Sequence, residues 1–195
     1  MSDFLTDRSL SRRGFLKKAL VTGLAGAALA SSASARATMV PALSGLTGGE
    51  VRDLSLFNQA TREHIATVFF AGSDYRRHEL QSLNHFLRDH HANVAHQMDP
   101  RLLTMLYDLQ TIFGKREIEV ISGYRTPETN AMLRHTTPGV AKDSYHMRGQ
   151  AIDLRIPGIH VRDLREVAKT LGVGGVGYYP QANFVHVDTG PVRYW

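Results

Sequence analysis

The sequence contains no cysteine among its 195 residues. The chain therefore has no disulfide, no thiolate nucleophile, no cysteine-type metal site and no cysteine that could carry a lipid anchor. Any metal ion must be bound by histidine and carboxylate side chains. Histidine is by contrast abundant, with ten residues along the chain.

The sequence also lacks an apolar run of the ~20 residues that a membrane-spanning helix needs. An uncharged stretch, Ala19–Ala30, follows two adjacent arginines in the segment 11–17, which is the pattern of a twin-arginine (Tat) export signal. Two small-x-small sites then predict cleavage after Ala35 or Ala37. We expect residues 1–37 to be a removed signal peptide, with an uncleaved anchor as the less favoured alternative. The mature chain is then periplasmic, has no stable membrane insertion, and is exported by the twin-arginine machinery.

Once the predicted signal is removed, neither positive nor negative charge is in marked excess. Residues 38–195 contain 17 basic and 16 acidic side chains, whereas the whole chain has a formal charge of +5. This balance gives no support for a nucleic-acid partner. The remaining length suits one well-cored domain. We interpret residues 38–49 as a lead-in and residues 50–195 as the domain.

The first half of the domain is predicted to be helical. The stretch Leu54–Phe70 shows only mixed apolar spacing, but His78–His90 repeats apolar residues at intervals of three and four, as an amphipathic helix does. A clearer helix begins at Asp99, a suitable N-cap, with Pro100 in its first turn, and ends at Gly114.

After this helix the spacing becomes that of strands separated by two helices. The first predicted strand begins at Ile118, and three more cover Gly149–Ile156, Gly174–Tyr179 and Phe184–Val187. The predicted helices are Thr126–Leu133 and Val161–Leu171. The last two strands suit a hairpin. Helices first and strands later predict an α+β domain, with helices packed on a small, mainly antiparallel sheet.

Two segments place metal-binding side chains inside strand-forming apolar sequence. Asp153 and His186 are each flanked by aliphatic residues, and His146 precedes the first of these strands. Burying such a carboxylate is unfavourable unless it is paired or bound to a metal. Two imidazoles and one carboxylate, with a fourth position left for water, form a known ligand set for catalytic zinc.

The remaining histidines are interpreted as solvated or locally hydrogen-bonded side chains. They are His64, His78, His85, His90, His91, His96, His135 and His160. The pair His90 and His91, together with His96, could bind a metal adventitiously, but no third ligand is positioned by the sequence.

A family resemblance rests on three pieces of sequence. The metal motif reads Ser144-x-His146-x-x-Gly149-x-Ala151-x-Asp153, with His186 on a later strand. This motif resembles that of the M15 zinc peptidases, which include D-Ala-D-Ala carboxypeptidases and share their fold with the Hedgehog signalling domain. The segment Ser122–Thr126 and the ending His186–Trp195 resemble more specifically the YcbK/MepK-like branch of murein endopeptidases. The resemblance covers residues 50–195.

The resemblance implies a Hedgehog/DD-peptidase-like fold and a Zn²⁺ ion held by His146, Asp153 and His186. It also implies hydrolysis of peptide cross-links in peptidoglycan, so that the partners are peptidoglycan stem peptides. Arg125 matches the family arginine near the scissile carbonyl, a role that suits a permanently charged guanidinium. The alternative for Arg125 is a simple ion pair with a nearby acid.

The sequence departs from the family at the position of the general base. Many M15 peptidases carry an acidic residue three positions before the last metal histidine, and here that residue is Asn183. Asp188 is a candidate base because two residues along a strand it shares a face with His186. It could equally accept a hydrogen bond from His186 and fix its tautomer. His160 and Tyr178 also remain open.

Two other functions therefore stay under consideration beside the zinc-dependent murein endopeptidase. One is a D-Ala carboxypeptidase of the same fold. The other is a non-catalytic, zinc-stabilised module that binds the cell wall, an option that the asparagine at the expected base position keeps open.

Overall fold

A computed structural model describes residues 49–195. The predicted signal peptide, its cleavage sites and all but the last residue of the lead-in lie outside the described residues. The helices and strands of the described part are β1 (Glu50–Asn58), β2 (His64–Gly72), β3 (Asp74–Tyr75), α1 (Arg77–Phe86), α2 (Pro100–Ile112), β4 (Ile118–Ser122), α3 (Pro127–Thr136), β5 (Ala151–Arg155), α4 (Val161–Leu171), β6 (Gly175–Tyr179), β7 (Phe184–Asp188) and β8 (Arg193–Tyr194), with a short 3-10 helix at Tyr145–Arg148.

The strands of residues 49–195 form one mixed sheet in the order β3-β2-β1-β4-β5-β7-β6-β8. Five neighbouring pairs are antiparallel, while β1 with β4 and β6 with β8 are parallel. The predicted combination of helices and sheet in one domain is confirmed. The prediction of a small sheet is wrong, because the sheet has eight strands.

Three of the four additional strands, β1 to β3, come from the region that was expected to be helical, and the fourth, β8, lies in the closing segment. Residues Glu50–Gly72 form the antiparallel hairpin of β1 and β2. Leu54, Leu56 and Asn58 are buried at every second position, which is the period of a strand. The side-chain oxygen of Asn58 accepts hydrogen bonds from the amides of Ala60 and Thr61 and so builds the turn between the two strands. The period is obscured in the sequence because apolar Phe57 is only partly buried while polar Asn58 is buried.

The later elements agree with their predictions. Asp99 caps α2 by accepting a hydrogen bond from the amide of Arg101, and Thr126 caps α3 in the same way through the amide of Thr129. Helix α4 ends at Gly172 in the left-handed conformation. These caps supply acceptors for amides that a helix leaves unpaired at its start.

One face of the sheet carries the apolar core. Helix α1 packs on β2, α2 on β1 and α4, and α4 on β6 and β7. Aliphatic side chains from the central strands point to these helices, among them Ile152 and Leu154 of β5 and Val185 and Val187 of β7. Because side chains alternate along a strand, the residues between them point to the opposite face.

Within residues 49–195, every helix is too short or too polar to cross a membrane.

Candidate metal centre and cleft

The register of the sheet places Ser122 in one row with Asp153 and His186, two of the predicted metal ligands. Ser122 pairs with Asp153, Asp153 with His186, and His186 with Gly177 across β4, β5, β7 and β6. This row lies on the face opposite the apolar core. Asp153 and His186, which are 33 positions apart in sequence, are therefore direct neighbours on adjacent strands.

His146 is brought to the same place by a short 3-10 turn. Ser144 caps this turn, since its hydroxyl accepts a hydrogen bond from the His146 amide at 3.3 Å. The turn ends at Gly149, which has a φ of 65°. A Cβ atom there would overlap the carbonyl oxygen of Gln97. Only glycine fits both constraints, so the Ser-x-His-x-x-Gly spacing positions the imidazole as the chain enters β5.

The three predicted ligands converge, and all three are buried. Asp153 Oδ1 lies 2.9 Å from His186 Nδ1 and 3.2 Å from His146 Nε2, and the two nitrogens are 3.2 Å apart. Among residues 49–195 this is the one group of three such side chains whose ligand atoms come together.

The outer nitrogen of each imidazole has its own hydrogen-bond acceptor. His146 Nδ1 lies 2.7 Å from the carbonyl oxygen of Gly123, and His186 Nε2 lies 3.0 Å from Asp188 Oδ2. Each outer nitrogen donates its hydrogen there, so each inner nitrogen presents a lone pair. With both imidazoles neutral, two lone pairs and a carboxylate oxygen then face one another. The donor set fits a metal cation with an open fourth position.

Asp188 lies on the far side of His186 from this convergence and is fully buried. Its carboxylate accepts hydrogen bonds from His186, from both terminal nitrogens of Arg193, and from the amides of Gly175 and Gly190. Burial alone would raise the pKa of Asp188, but these donors hold it well below its usual value. Of its two predicted roles, this geometry favours fixing the tautomer of His186 over accepting a proton from water.

Arg125 forms the ion pair that was considered as its alternative role. Its Nε donates to the hydroxyl of Ser122 at 2.8 Å, and its Nη2 donates to Asp153 Oδ2. The second oxygen of Asp153 is thereby occupied, which leaves Oδ1 for the imidazoles. Burial would raise the pKa of Asp153, but the neighbouring imidazoles hold it well below its usual value. Arg125 also lines the cleft described next.

A cleft of about 740 Å³ opens over the three converging residues. One wall is the loop 137–143 after α3, and a second wall is aromatic. The side chains on these walls that the sequence analysis did not assign to the site include His90, His91, Tyr145, Tyr179, Phe184, Arg193 and Trp195. The histidine pair was interpreted as solvated surface, and the structure places it at this cleft. The proximity of Arg193 and Trp195 to His186 in the closing segment was a usable signal.

The two other candidates for a general base, His160 and Tyr178, lie outside the lining of the cleft, and so does Asn183, which stands at the position where the family carries its base. Asn183 occupies the turn between β6 and β7 with a φ of 56°. His160 caps α4, its Nδ1 accepting a hydrogen bond from the amide of Arg162. Tyr178 packs against the apolar core. None of the three lines the cleft as residues 49–195 define it.

Comparison with known proteins shows the family of this chain. A family model described as Peptidoglycan L,D-endopeptidase MepK matches residues 47–195. The chain belongs to this MepK family of M15 peptidases. The MepK of Escherichia coli K12, named as a peptidoglycan L,D-endopeptidase, is 48% identical over 156 residues, which cover 80% of this chain and 86% of the relative. The probable MepK of Haemophilus influenzae is 47% identical over 146 residues, covering 74% and 78%.

Proposed function

We propose that this MepK-family chain is a zinc-dependent endopeptidase that hydrolyses L,D peptide cross-links of peptidoglycan. The observation that carries the proposal is the convergence of His146 Nε2, Asp153 Oδ1 and His186 Nδ1 within an open cleft. The substrate class comes from the relatives, which cover most of the chain. The Escherichia coli relative is named as a peptidoglycan L,D-endopeptidase and the Haemophilus influenzae relative as a probable one.

The proposed zinc ligands are His146, Asp153 and His186. Zinc supplies Lewis acidity, which activates water for attack and polarises the scissile carbonyl. The protein contributes the fixed orientation of the ligands. The Gly123 carbonyl holds the His146 ring, and the Asp188 carboxylate holds the His186 ring. Such supporting hydrogen bonds set the tautomer and the direction of each lone pair.

Arg125 is proposed to serve both the ligand set and the substrate. Two of its nitrogens hold Asp153 and Ser122, which fixes the plane of the guanidinium at the wall of the cleft. A fixed positive charge stabilises the negative charge that develops on the carbonyl oxygen during hydrolysis. Asp188 is assigned to orientation rather than to proton transfer, because all its acceptor positions face donors of the protein.

Export by the twin-arginine pathway remains part of the proposal. The predicted signal peptide, residues 1–37, would deliver the folded domain to the periplasm, the compartment that contains peptidoglycan. The arginine pair Arg12–Arg13 and the uncharged stretch after it support this location.

Digestion of purified peptidoglycan by the zinc-loaded mature protein tests the function, with muropeptides identified by mass. We expect loss of L,D-cross-linked dimers and a matching gain of monomers. His146→Ala should abolish the change, and His64→Ala, a substitution of an exposed histidine outside the cleft, should leave it intact.

Other products would contradict the proposal in distinct ways. Release of free D-Ala from uncross-linked stem peptides would identify a carboxypeptidase. No change in any muropeptide, from protein that holds one zinc per chain, would favour the non-catalytic binding module.

A further inference from the structure

The indole ring of Trp195 is built into the sheet beside the metal centre. Its backbone pairs with β6, where the Trp195 amide donates to the Val176 carbonyl at 3.3 Å and the Tyr178 amide donates to the Trp195 carbonyl at 2.9 Å. The ring lies on Gly177, at which an added Cβ would come within 2.7 Å of it. Gly177 is the strand partner of His186, so the indole lies next to that imidazole, with ring centroids 5.4 Å apart.

The indole nitrogen of Trp195 donates a hydrogen bond to the hydroxyl oxygen of Tyr179 at 2.9 Å. An indole N–H is a donor only, so the tyrosine oxygen must be the acceptor in this bond. The hydroxyl hydrogen of Tyr179 is therefore left to be donated elsewhere. The Tyr179 ring is itself held by stacking on Phe184, with centroids 4.6 Å apart and planes inclined by 17°.

Tyr179, Phe184 and Trp195 all line the cleft over the metal centre. The ring position and the oxygen of Tyr179 are thus fixed by the protein, while its donor hydrogen is not consumed by the bond that orients it. A preorganised neutral donor at the wall of a binding cleft is suited to a substrate oxygen, because little conformational entropy is lost when the bond forms.

We propose that the Tyr179 hydroxyl donates a hydrogen bond to an oxygen of the bound stem peptide beside the scissile bond, and that Trp195 is the positioning residue that directs it. The acceptor is either a peptide carbonyl or the carboxylate that a diamino acid carries next to its cross-linked D-centre. This inference rests on the proposed endopeptidase function, since it takes the substrate class from it.

The test is a double-mutant cycle on the zinc-loaded mature protein with a purified L,D-cross-linked muropeptide dimer. Tyr179→Phe removes the hydroxyl and keeps the ring, and it should lower kcat/KM about tenfold, the value of one substrate hydrogen bond of ~1.4 kcal/mol. Trp195→Phe should lower kcat/KM about threefold. In the Tyr179→Phe background, Trp195→Phe should have no further effect, because there is no hydroxyl left to direct.

Tyr194→Phe is the matched control for loss of a tyrosine hydroxyl. Tyr194 is on the neighbouring strand and contacts Lys169 of α4 instead of the cleft, so this variant should match the wild type. Zinc content and thermal midpoint are measured for every variant. An unchanged kcat/KM for Tyr179→Phe at full zinc content would overturn the proposal. An equal effect of Trp195→Phe with and without the Tyr179 hydroxyl would overturn the positioning role.

Two further measurements separate the possible acceptors and the two proposals. If the acceptor is the carboxylate, the penalty of Tyr179→Phe should shrink on a dimer whose carboxylate is amidated, and if it is a peptide carbonyl the penalty should stay the same. Binding of the product monomer by calorimetry does not require turnover. If the wild type cleaves nothing, the proposed function is overturned. Weaker binding of the product monomer by Tyr179→Phe than by the wild type would still support the donor role of Tyr179. Equal binding would overturn that role as well.

Discussion

Two concave surfaces of this MepK-family domain are lined by histidines, and they differ in how those side chains are held. A groove of about 570 Å³ beside β2 and α1 contains His64, His78 and His85 together with Glu63. The cleft of about 740 Å³ on the other half of the sheet contains His146 and His186. Within residues 49–195, ligand atoms of three side chains come together only in the cleft.

The two surfaces differ in how deeply their histidine side chains are buried and in whether each imidazole has a fixed hydrogen-bond acceptor. In the groove, His64 contacts Glu117 at 3.0 Å, but 62% of the His64 side chain and 40% of the Glu117 side chain are exposed. In the cleft, the imidazoles of His146 and His186 are buried and each outer nitrogen has a fixed acceptor. A metal site therefore requires oriented lone pairs more than a large number of histidines.

Of the substitutions that test this difference between the groove and the cleft, removal of a proposed zinc ligand should have the largest effect on zinc content. His186→Ala leaves one imidazole and one carboxylate, so we expect the loss of stoichiometric zinc, measured by metal analysis after dialysis. The matched variant combines His64→Ala, His78→Ala and His85→Ala in the groove and should retain one zinc per chain. Loss of zinc from this triple variant would show that the groove, too, contributes ligands.

Removing the acceptor behind a ligand should have a smaller effect. Asp188→Asn keeps the shape of the side chain but loses the charge that holds His186 and Arg193. We expect zinc affinity to fall on the order of 10- to 100-fold, measured by competition with a chelator of known affinity.

Glu117→Gln is the corresponding change behind His64 and should leave zinc affinity unchanged. Because the hydrogen bond between His64 and Glu117 is exposed, solvent replaces it with little free-energy difference. Equal zinc affinities of Asp188→Asn and the wild type would remove the orienting role assigned to Asp188.

The sequence was sufficient to single out His146, Asp153 and His186, which the structure brings together, because local constraints mark them. The aliphatic neighbours of Asp153 and His186 indicated strands, and the spacing from Ser144 to Gly149 reflects a capped turn that ends in a left-handed residue. Helix α2 was likewise marked by its cap and its proline. In each case the deciding interaction lies within a few residues of the chain.

The sequence was insufficient where distant segments decide the structure. The aromatic wall depends on the pairing of β8 with β6, and that pairing places Trp195 on Gly177. The strand β1 was missed because its partners are β2 and β4, and its alternate residues are only partly exposed. The position of His91 at the cleft depends on Asp89, whose carboxylate accepts hydrogen bonds from the His91 amide and from the amide of Thr126. Thr126 is 37 positions from Asp89 in the sequence.

Loss of the bonds between Asp89 and Thr126 should have a smaller effect than loss of a proposed zinc ligand. The buried carboxylate of Asp89 accepts hydrogen bonds from the amides of His91 and Ala92 and from the amide and hydroxyl of Thr126. It thereby joins the turn that carries the histidine pair to the residue after Arg125. Asp89→Asn should lower the free energy of unfolding by about 1.5 kcal/mol at neutral pH, measured by urea denaturation.

The pH dependence of this difference has a defined sign. Burial opposes the charge on Asp89, but hydrogen bonds led by the Thr126 amide outweigh it and lower the pKa of Asp89 below its usual value of 3.8. Stability from a depressed carboxyl pKa is present above the unfolded-state pKa and is lost as pH falls through the folded-state pKa. The gap between wild type and Asp89→Asn should therefore be constant near neutrality and narrow below about pH 4.

Asp53→Asn provides the exposed counterpart. Asp53 is paired with Lys115 at 2.8 Å, but the two side chains are 48% and 43% exposed, respectively. Solvent screens such a pair, so its loss should change the free energy of unfolding by no more than about 0.5 kcal/mol at any pH. A loss as large as that of Asp89→Asn would contradict the distinction between buried, fully bonded carboxylates and exposed pairs.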